Sequence, residues 1–402
     1  MIALPFHATP LQPLHAAFIS SFVPRECGLA TFTEDVINAV SAHGVVCKVI
    51  AMDRPGQVYH YDRRVIATVQ ENRLTDYVHA ADVINRGRYQ ILSVQHEYGI
   101  FGGETCFDLA EFLKLVNVPV VTTLHTILRK PSPAMRRNLR LVADRSAAIV
   151  VMNELAVGVL EAIYGIEPGK IAMVHHGAPV IPATRRQLIK EHFNLHDRRI
   201  ISTFGLLSSG KGLEYAIQAM PSIVAAYPNA LYLILGQTHP VVKQQEGERY
   251  RDALKTLADA LGVRDHVMFV DKYFTKAELV AFLLATDIYL TPYLNMEQVT
   301  SGTLAYAMAC GRPLVSTPYL YAQYLLGEDR GLLVPPCDPG GIADACRQIF
   351  ASPELRAGME RANWHFGKAM LWPAVGREYM RLFHGITALH AAQATPLQAR
   401  AG

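Results

Sequence analysis

Short runs of apolar, mostly β-branched residues recur along the chain between stretches of helical spacing. Six stand before residue 178: "AAFISSFV", "VVCKVIAM", "YQILSVQH", "VPVVTTLH", "AAIVVMN" and "IAMVHHG". Six more follow residue 197: "RIISTFG", "ALYLILG", "HVMFVDKY", "DIYLTPY", "RPLVSTP" and "GLLVPP". Near-continuous apolar strands that alternate with helices predict parallel sheets covered on both faces, an α/β fold of two Rossmann-like domains. Between the sets lies "APVIPATRRQLIKEHFNLHD", which holds two prolines and no strand and reads as a linker. The expected division is therefore a domain over 1–180, a linker over 181–197 and a second domain over 198–369. Residues 370–402 carry "LWPAVGREYMRLFHGITALHAAQ", a helical pattern expected to pack back on the first domain, with the last ten or so residues frayed. In open parallel sheets ligands lie beyond the carboxyl ends of the strands, so two such domains facing each other predict a cleft lined by the loops that follow the strands.

Composition narrows the choice of ligand. The 402 residues are 50% hydrophobic and 18% charged, enough for two sizeable cores. Thirty-eight basic against 35 acidic residues leave a net charge of +3, and neither end holds a run of five like charges, so nucleic acid is not a favoured partner. The six cysteines, at 27, 47, 106, 310, 337 and 346, form no C-x-x-C pair and fit reduced, buried thiols. The N-terminal "MIALPFHATPLQPLHAAF" lacks a basic leader and is broken by prolines, so it does not read as a signal peptide. No run approaches the roughly 18 apolar residues of a membrane span. A cytoplasmic protein is expected, with peripheral contact at the inner face of the membrane left open.

Two stretches carry candidate chemistry in the second half. "STFGLLSSGKGLEYAIQAM" is a strand, a Ser- and Gly-rich loop with one lysine, and a helix whose Leu213, Ala216, Ile217 and Met220 share a face. Amides at a helix start beside an ammonium make an anion site, which marks Lys211 as a phosphate ligand; the plainer reading is a solvated lysine. "EQVTSGTLAYAMACGRPLVSTP" repeats the device: Thr300 or Ser301 caps a helix from about Gly302 to Cys310, and Gly311 stops it. Two such helix starts suit a diphosphate, and Glu297 just ahead of the second suits sugar hydroxyls. In the first half, His125 closes a buried strand, and His96 with Glu97 closes the strand before it, where acceptor contact competes with a core role. His175 and His176 read as structural. No pair of these histidines stands at helical ligand spacing with an acid, so no metal is expected. Neither G-x-G-x-x-G nor the Walker spacing is present, which disfavours a nicotinamide-dependent oxidoreductase.

In order, "FGLLSSGKG", "LYLILG", "DIYLTPY" and "AYAMACGRPLVSTP" resemble the donor domain of GT-B glycosyltransferases of the large retaining family four, whose pattern is G-R-L-x-x-x-K-G followed by E-x7-E and E-A-M-A-C-G-x-P-V-V. "PRECGLATFTEDV" resembles that family's glycine loop near the donor phosphates, and "VVTTLHTI" the strand that ends in its active-site histidine. The resemblance implies donor contacts by Gly28, Gly205, Lys211, Gln298, Ser301, Gly302, Thr303 and Tyr306, with His125, Lys211 and Glu297 at the reacting centre. This chain departs from the pattern at three places: Leu206 stands for the arginine, Gln298 for the first glutamate and Tyr306 for the second. Whether Glu297, one residue early, or Gln298 fills the first position stays open.

The function this implies is retaining transfer of a hexose, glucose or mannose, from a UDP- or GDP-sugar to a hydroxyl of a carbohydrate or lipid-linked acceptor, with no cofactor required. The rival is a non-catalytic sugar-nucleotide or glycan-binding protein on the same fold.

Overall fold

The computed structural model describes residues 13–327 and 329–394. The N-terminal stretch up to residue 12 and the tail from 395, where fraying is expected, lie outside the described residues. The chain forms two compact units, one running to Gly177 and resuming at Trp372, the other spanning Ala178–Leu371.

The first unit is built on seven strands: β1 (His15–Ser20), β2 (Val46–Asp53), β3 (Val65–Gln70), β4 (Ile91–His96), β5 (Val120–Leu124), β6 (Ala148–Val151) and β7 (Ile171–Met173). They pair in the order β3-β2-β1-β4-β5-β6-β7, with every pairing parallel. Six of these were legible as apolar runs. The seventh, β3, was not: it lies at the sheet's edge with only Val69 fully buried, so its sequence lacks the continuous apolar signal.

The second unit holds β8 (Arg199–Phe204), β9 (Ala230–Leu235), β10 (Val267–Val270), β11 (Ile288–Thr291), β12 (Leu314–Ser316) and β13 (Gly331–Leu333). Their order, β10-β9-β8-β11-β12-β13, is the doubly wound arrangement, again all parallel. The strands are fed by helices whose apolar stripes the sequence announces. Helix Leu213–Ala226 buries Leu213, Ala216, Ile217 and Met220 against β8 and β9 neighbours such as Ile201 and Tyr232.

The stretch 181–197, read as a linker, carries helix Arg186–His192 as part of the second unit. Ion pairs hold it there: Lys190 Nζ lies 2.5 Å from Asp287 Oδ2, and Arg186 reaches Asp287 at 3.3 Å and Glu360 at 2.7 Å. Helix Trp372–Ala394 belongs to the first unit. There the Tyr379 hydroxyl bonds Thr123 at 3.1 Å, and Gly376 lets the helix approach Ala39 so closely that a Cβ would fall 2.6 Å from its backbone.

Candidate active site

Doubly wound order reverses direction between the first strand and the fourth, and the crevice outside that point is where such sheets hold ligands. In the second unit the reversal lies between β8 and β11, so the loops at issue are 205–212 and 292–301. These are the two stretches singled out in the sequence.

The first loop leaves β8 through Gly205 at φ +133°, forms a short 3₁₀ turn at Ser209–Lys211, and enters helix Leu213–Ala226 through Gly212 at φ +60°. Gly212 does more than turn the chain. A Cβ there would fall 2.2 Å from the carbonyl oxygen of Pro292, and the Leu294 amide donates to Gly210 O at 3.0 Å, so the two loops lie backbone against backbone. The result sets the Lys211 ammonium 3.8 Å above the ring centre of Tyr293. Among the described residues it has no carboxylate within 4 Å and no hydrogen-bond acceptor. Half-buried between the two loops, it is desolvated enough to press its pKa down to about 8.

The second loop is shaped by its own side chains. The Asn295 carboxamide oxygen accepts from the Glu297 amide at 3.1 Å, an Asx turn that sets Glu297 half-buried on the loop. Gln298 donates one side-chain N–H to Thr300 O at 2.7 Å, so one of its two donors is used inside the loop. Ser301, rather than Thr300, caps helix Gly302–Ala309 by accepting from the Leu304 amide at 3.3 Å. The amides of Gly302 and Thr303 donate to no described residue. Beside them runs a hydroxyl row: Tyr293 Oη to Thr303 Oγ1 at 2.9 Å, and Thr303 to Ser301 Oγ at 3.1 Å. Tyr306 is buried on the same helix, its ring 6.1 Å from Phe204, while Leu206 is half-exposed and brings no charge.

One expectation is corrected here. The helix that follows Lys211 does not offer its first amide to an outside anion: Leu213 N–H donates to Tyr250 Oη at 3.3 Å, and that hydroxyl donates to Glu214 at 2.6 Å. Of the two groups the sequence marks for an anion on this loop, the helix's leading amide is taken up by Tyr250, and the Lys211 ammonium is left as the candidate. Tyr293 is the member that sequence reasoning missed. It reads as one more buried strand residue, and only its place under Lys211 marks it.

In the first unit the corresponding reversal lies between β1 and β4. Gly28 opens helix Gly28–Ser41 after β1, with open space where a Cβ would point. Glu97 follows β4; it accepts from Thr126 Oγ1 and from the Tyr98 amide, both at 2.9 Å, and burial lifts its pKa to about 7. His125, after β5, sits edge-on to Phe32 at 4.6 Å and bonds Gln95 Oε1 through Nε2 at 3.0 Å. With Gln95 donating in turn to Ser93, the ring carries its proton on Nε2. Burial, with His176 and His96 nearby, depresses its pKa to about 3, so it presents a neutral imidazole. His96 is 1% exposed, packed between Tyr98 and Phe101, which leaves its ring no surface to offer an acceptor. His176 is likewise internal, held at Gly177 O and against Phe32. Among the described residues no group of three or more His, Cys, Asp or Glu is arranged to hold a metal ion, and no helix is long and apolar enough to cross a membrane.

Two Rossmann-like parallel-sheet units, the second in doubly wound order, define a GT-B protein. The chain belongs to the group 1 glycosyltransferases: the pattern described as "Glycosyl transferases group 1" matches residues 184–364, and "Glycosyltransferase Family 4" matches residues 27–180. It is 26% identical over 253 residues to a D-inositol 3-phosphate glycosyltransferase of Corynebacterium urealyticum, covering 61% of this chain and 58% of that protein. It is 24% identical over 248 residues to a GDP-mannose-dependent alpha-(1-6)-phosphatidylinositol monomannoside mannosyltransferase of Mycolicibacterium smegmatis, covering 58% and 61%. The chain thus matches only about three-fifths of the length of these curated relatives. Its fold is similar to that of a sucrose-phosphate synthase from Thermosynechococcus elongatus, with a TM-score of 0.75 at 17% identity over 94% of this chain and 100% of the other.

Proposed function

We propose that this protein is a retaining hexosyltransferase that moves glucose or mannose from a UDP- or GDP-sugar to a hydroxyl of a carbohydrate or lipid-linked acceptor. The observation that carries this reading is Lys211: a cation with no carboxylate partner among the described residues, 3.8 Å from the ring of Tyr293, whose hydroxyl bonds Thr303 at the start of the next helix. A half-buried cation without a carboxylate partner is stabilised when an anion arrives to meet it. As the glycosidic bond breaks, negative charge grows on the departing diphosphate, and in this reading Lys211 and the amides at the start of helix Gly302–Ala309 stabilise it. Protein cations and dipoles would do this neutralising, so the reaction needs no metal in this reading.

Retention follows if the acceptor hydroxyl attacks from the face the diphosphate leaves, handing its proton to the leaving phosphate. No carboxylate nucleophile is then required, and no pair of facing carboxylates is invoked. In the first unit, neutral His125 and Glu97 are the groups assigned to hydroxyl binding. The relatives' names support a polyol or inositol-lipid acceptor. The test is incubation of purified protein with UDP-glucose or GDP-mannose and candidate polyols, following nucleoside diphosphate release and the anomeric configuration of the product. A preceding thermal-shift screen identifies the base, since a diphosphate at 100 times its Kd stabilises by about 2.7 kcal/mol. Binding without release of diphosphate would leave a sugar-nucleotide-binding protein instead.

Glu297 is assigned to the donor sugar. Glu297→Gln is expected to lower transfer about 10- to 100-fold, the scale of a charged hydrogen bond, while the Kd for free UDP or GDP stays within about threefold. Equal losses in both would place Glu297 at the nucleotide instead.

A further inference from the structure

We infer that Tyr293 is a positioning residue for the leaving diphosphate, its ring seating Lys211 and its hydroxyl fixing the start of helix Gly302–Ala309. This rests on the donor reading above and deepens it. The family pattern does not mark this position, and the pattern's own arginine is absent at Leu206.

The geometry is specific. Tyr293 is 1% exposed, stacked on Tyr319 with ring centres 5.5 Å apart and planes 17° from parallel, and its carbonyl accepts from Thr317 Oγ1 at 2.5 Å. The ring therefore has one position. The Lys211 ammonium lies 3.8 Å from the centre of that fixed ring. A carboxylate in that place would pair with the ammonium and cancel the charge a diphosphate has to meet. A ring face steadies a cation by its quadrupole and leaves the charge whole.

The hydroxyl works on the other half of the site. It bonds Thr303 at 2.9 Å, and Thr303 is bonded to the capping Ser301 at 3.1 Å, beside the open amides of Gly302 and Thr303. One side chain thus spans the cation and the helix start. A buried tyrosine retained for packing alone would account for the Tyr319 stack, but not for an ammonium 3.8 Å from the ring centre.

A double-mutant cycle separates the two roles. UDP and GDP binding is measured calorimetrically on the wild type, Tyr293→Leu, Lys211→Met and the double variant. If the ring acts through Lys211, Tyr293→Leu weakens the diphosphate at least about 10-fold, on the scale of a desolvated cation–π contact. In the Lys211→Met background the same change then costs only the hydroxyl's share, about threefold. An equal loss in both backgrounds would show packing alone and overturn the inference. Tyr293→Phe, which keeps the ring and folds where leucine fails, is expected to lose about threefold through Thr303, undiminished without the lysine. A phenylalanine variant as damaged as the leucine one would also overturn the ring's role. Wild-type protein that binds neither UDP nor GDP would instead defeat the donor reading beneath it.

Discussion

Replacing Lys211 with methionine is expected to lower sugar transfer about 10²-fold or more, the scale for removing one preorganised electrostatic stabiliser. Methionine keeps the apolar reach of the stem over Tyr293, so the loss isolates the charge. The pH dependence gives an independent check. In the free protein the lysine's pKa is held down to about 8 from an ordinary 10.5. The unfolded chain therefore binds the proton more readily across that window. This residue's contribution makes the free protein less stable as pH falls from 10.5 toward 8, and the penalty is fully present below 8. A bound diphosphate raises the pKa again. Binding above pH 8 must then take up a proton, and affinity for UDP or GDP weakens as pH rises past 8. Calorimetric titration at pH 8.5 in two buffers of different ionisation enthalpy measures that uptake, and its absence in Lys211→Met assigns it. Wild-type protein that binds diphosphate with no proton uptake at that pH would remove Lys211 from the phosphates.

The second large effect is expected at Gly212. Alanine there meets two penalties at once. The left-handed conformation at φ +60° costs a side chain about 1–2 kcal/mol. Its Cβ would also stand 2.2 Å from Pro292 O, a backbone atom with no rotamer by which to yield. Together they predict a loss of about 3 kcal/mol in urea unfolding, in the upper range for single substitutions. Because the clash parts the two loops, Lys211 is lifted from Tyr293, and diphosphate affinity should fall at least about 10-fold. Gly210→Ala is the matched control: its added Cβ meets nothing within 4 Å and its φ is not left-handed, so stability within about 0.5 kcal/mol of wild type is expected. Equal damage from both would mean that loop flexibility, not the approach to Pro292, is what the glycines supply.

Much of this site was legible because its signals are local. A continuous apolar run, a buried stripe at helical spacing, a serine ahead of a helix and a glycine behind it each depend on a few neighbouring residues. That is why twelve strands, Lys211 on its loop and a cap at Thr300 or Ser301 could be read directly, the structure choosing Ser301. The histidines show where local reading stops. His96 and His125 both end buried strands in similar contexts, yet one is sealed between Tyr98 and Phe101 while the other rests half-exposed on Phe32. Nothing in either sequence context distinguishes them, since the deciding neighbours come from other elements.

By itself the sequence determined the class of this protein: two parallel α/β halves, a lysine between glycines on the loop after the second half's first strand, and motifs of the group 1 glycosyltransferases in order. Those properties are repeats and spacings along one chain. Tertiary structure alone decided that β3 completes the first sheet as an edge strand and that residues 186–192 fold into the second unit. It also decided that Tyr250 occupies the Leu213 amide and that Tyr293 lies beneath Lys211. Each of these is a contact between residues far apart in the chain, or an edge position with too little burial to leave an apolar signature. The doubly wound topology that brings loops 205–212 and 292–301 together is what turns two ordinary stretches into one site.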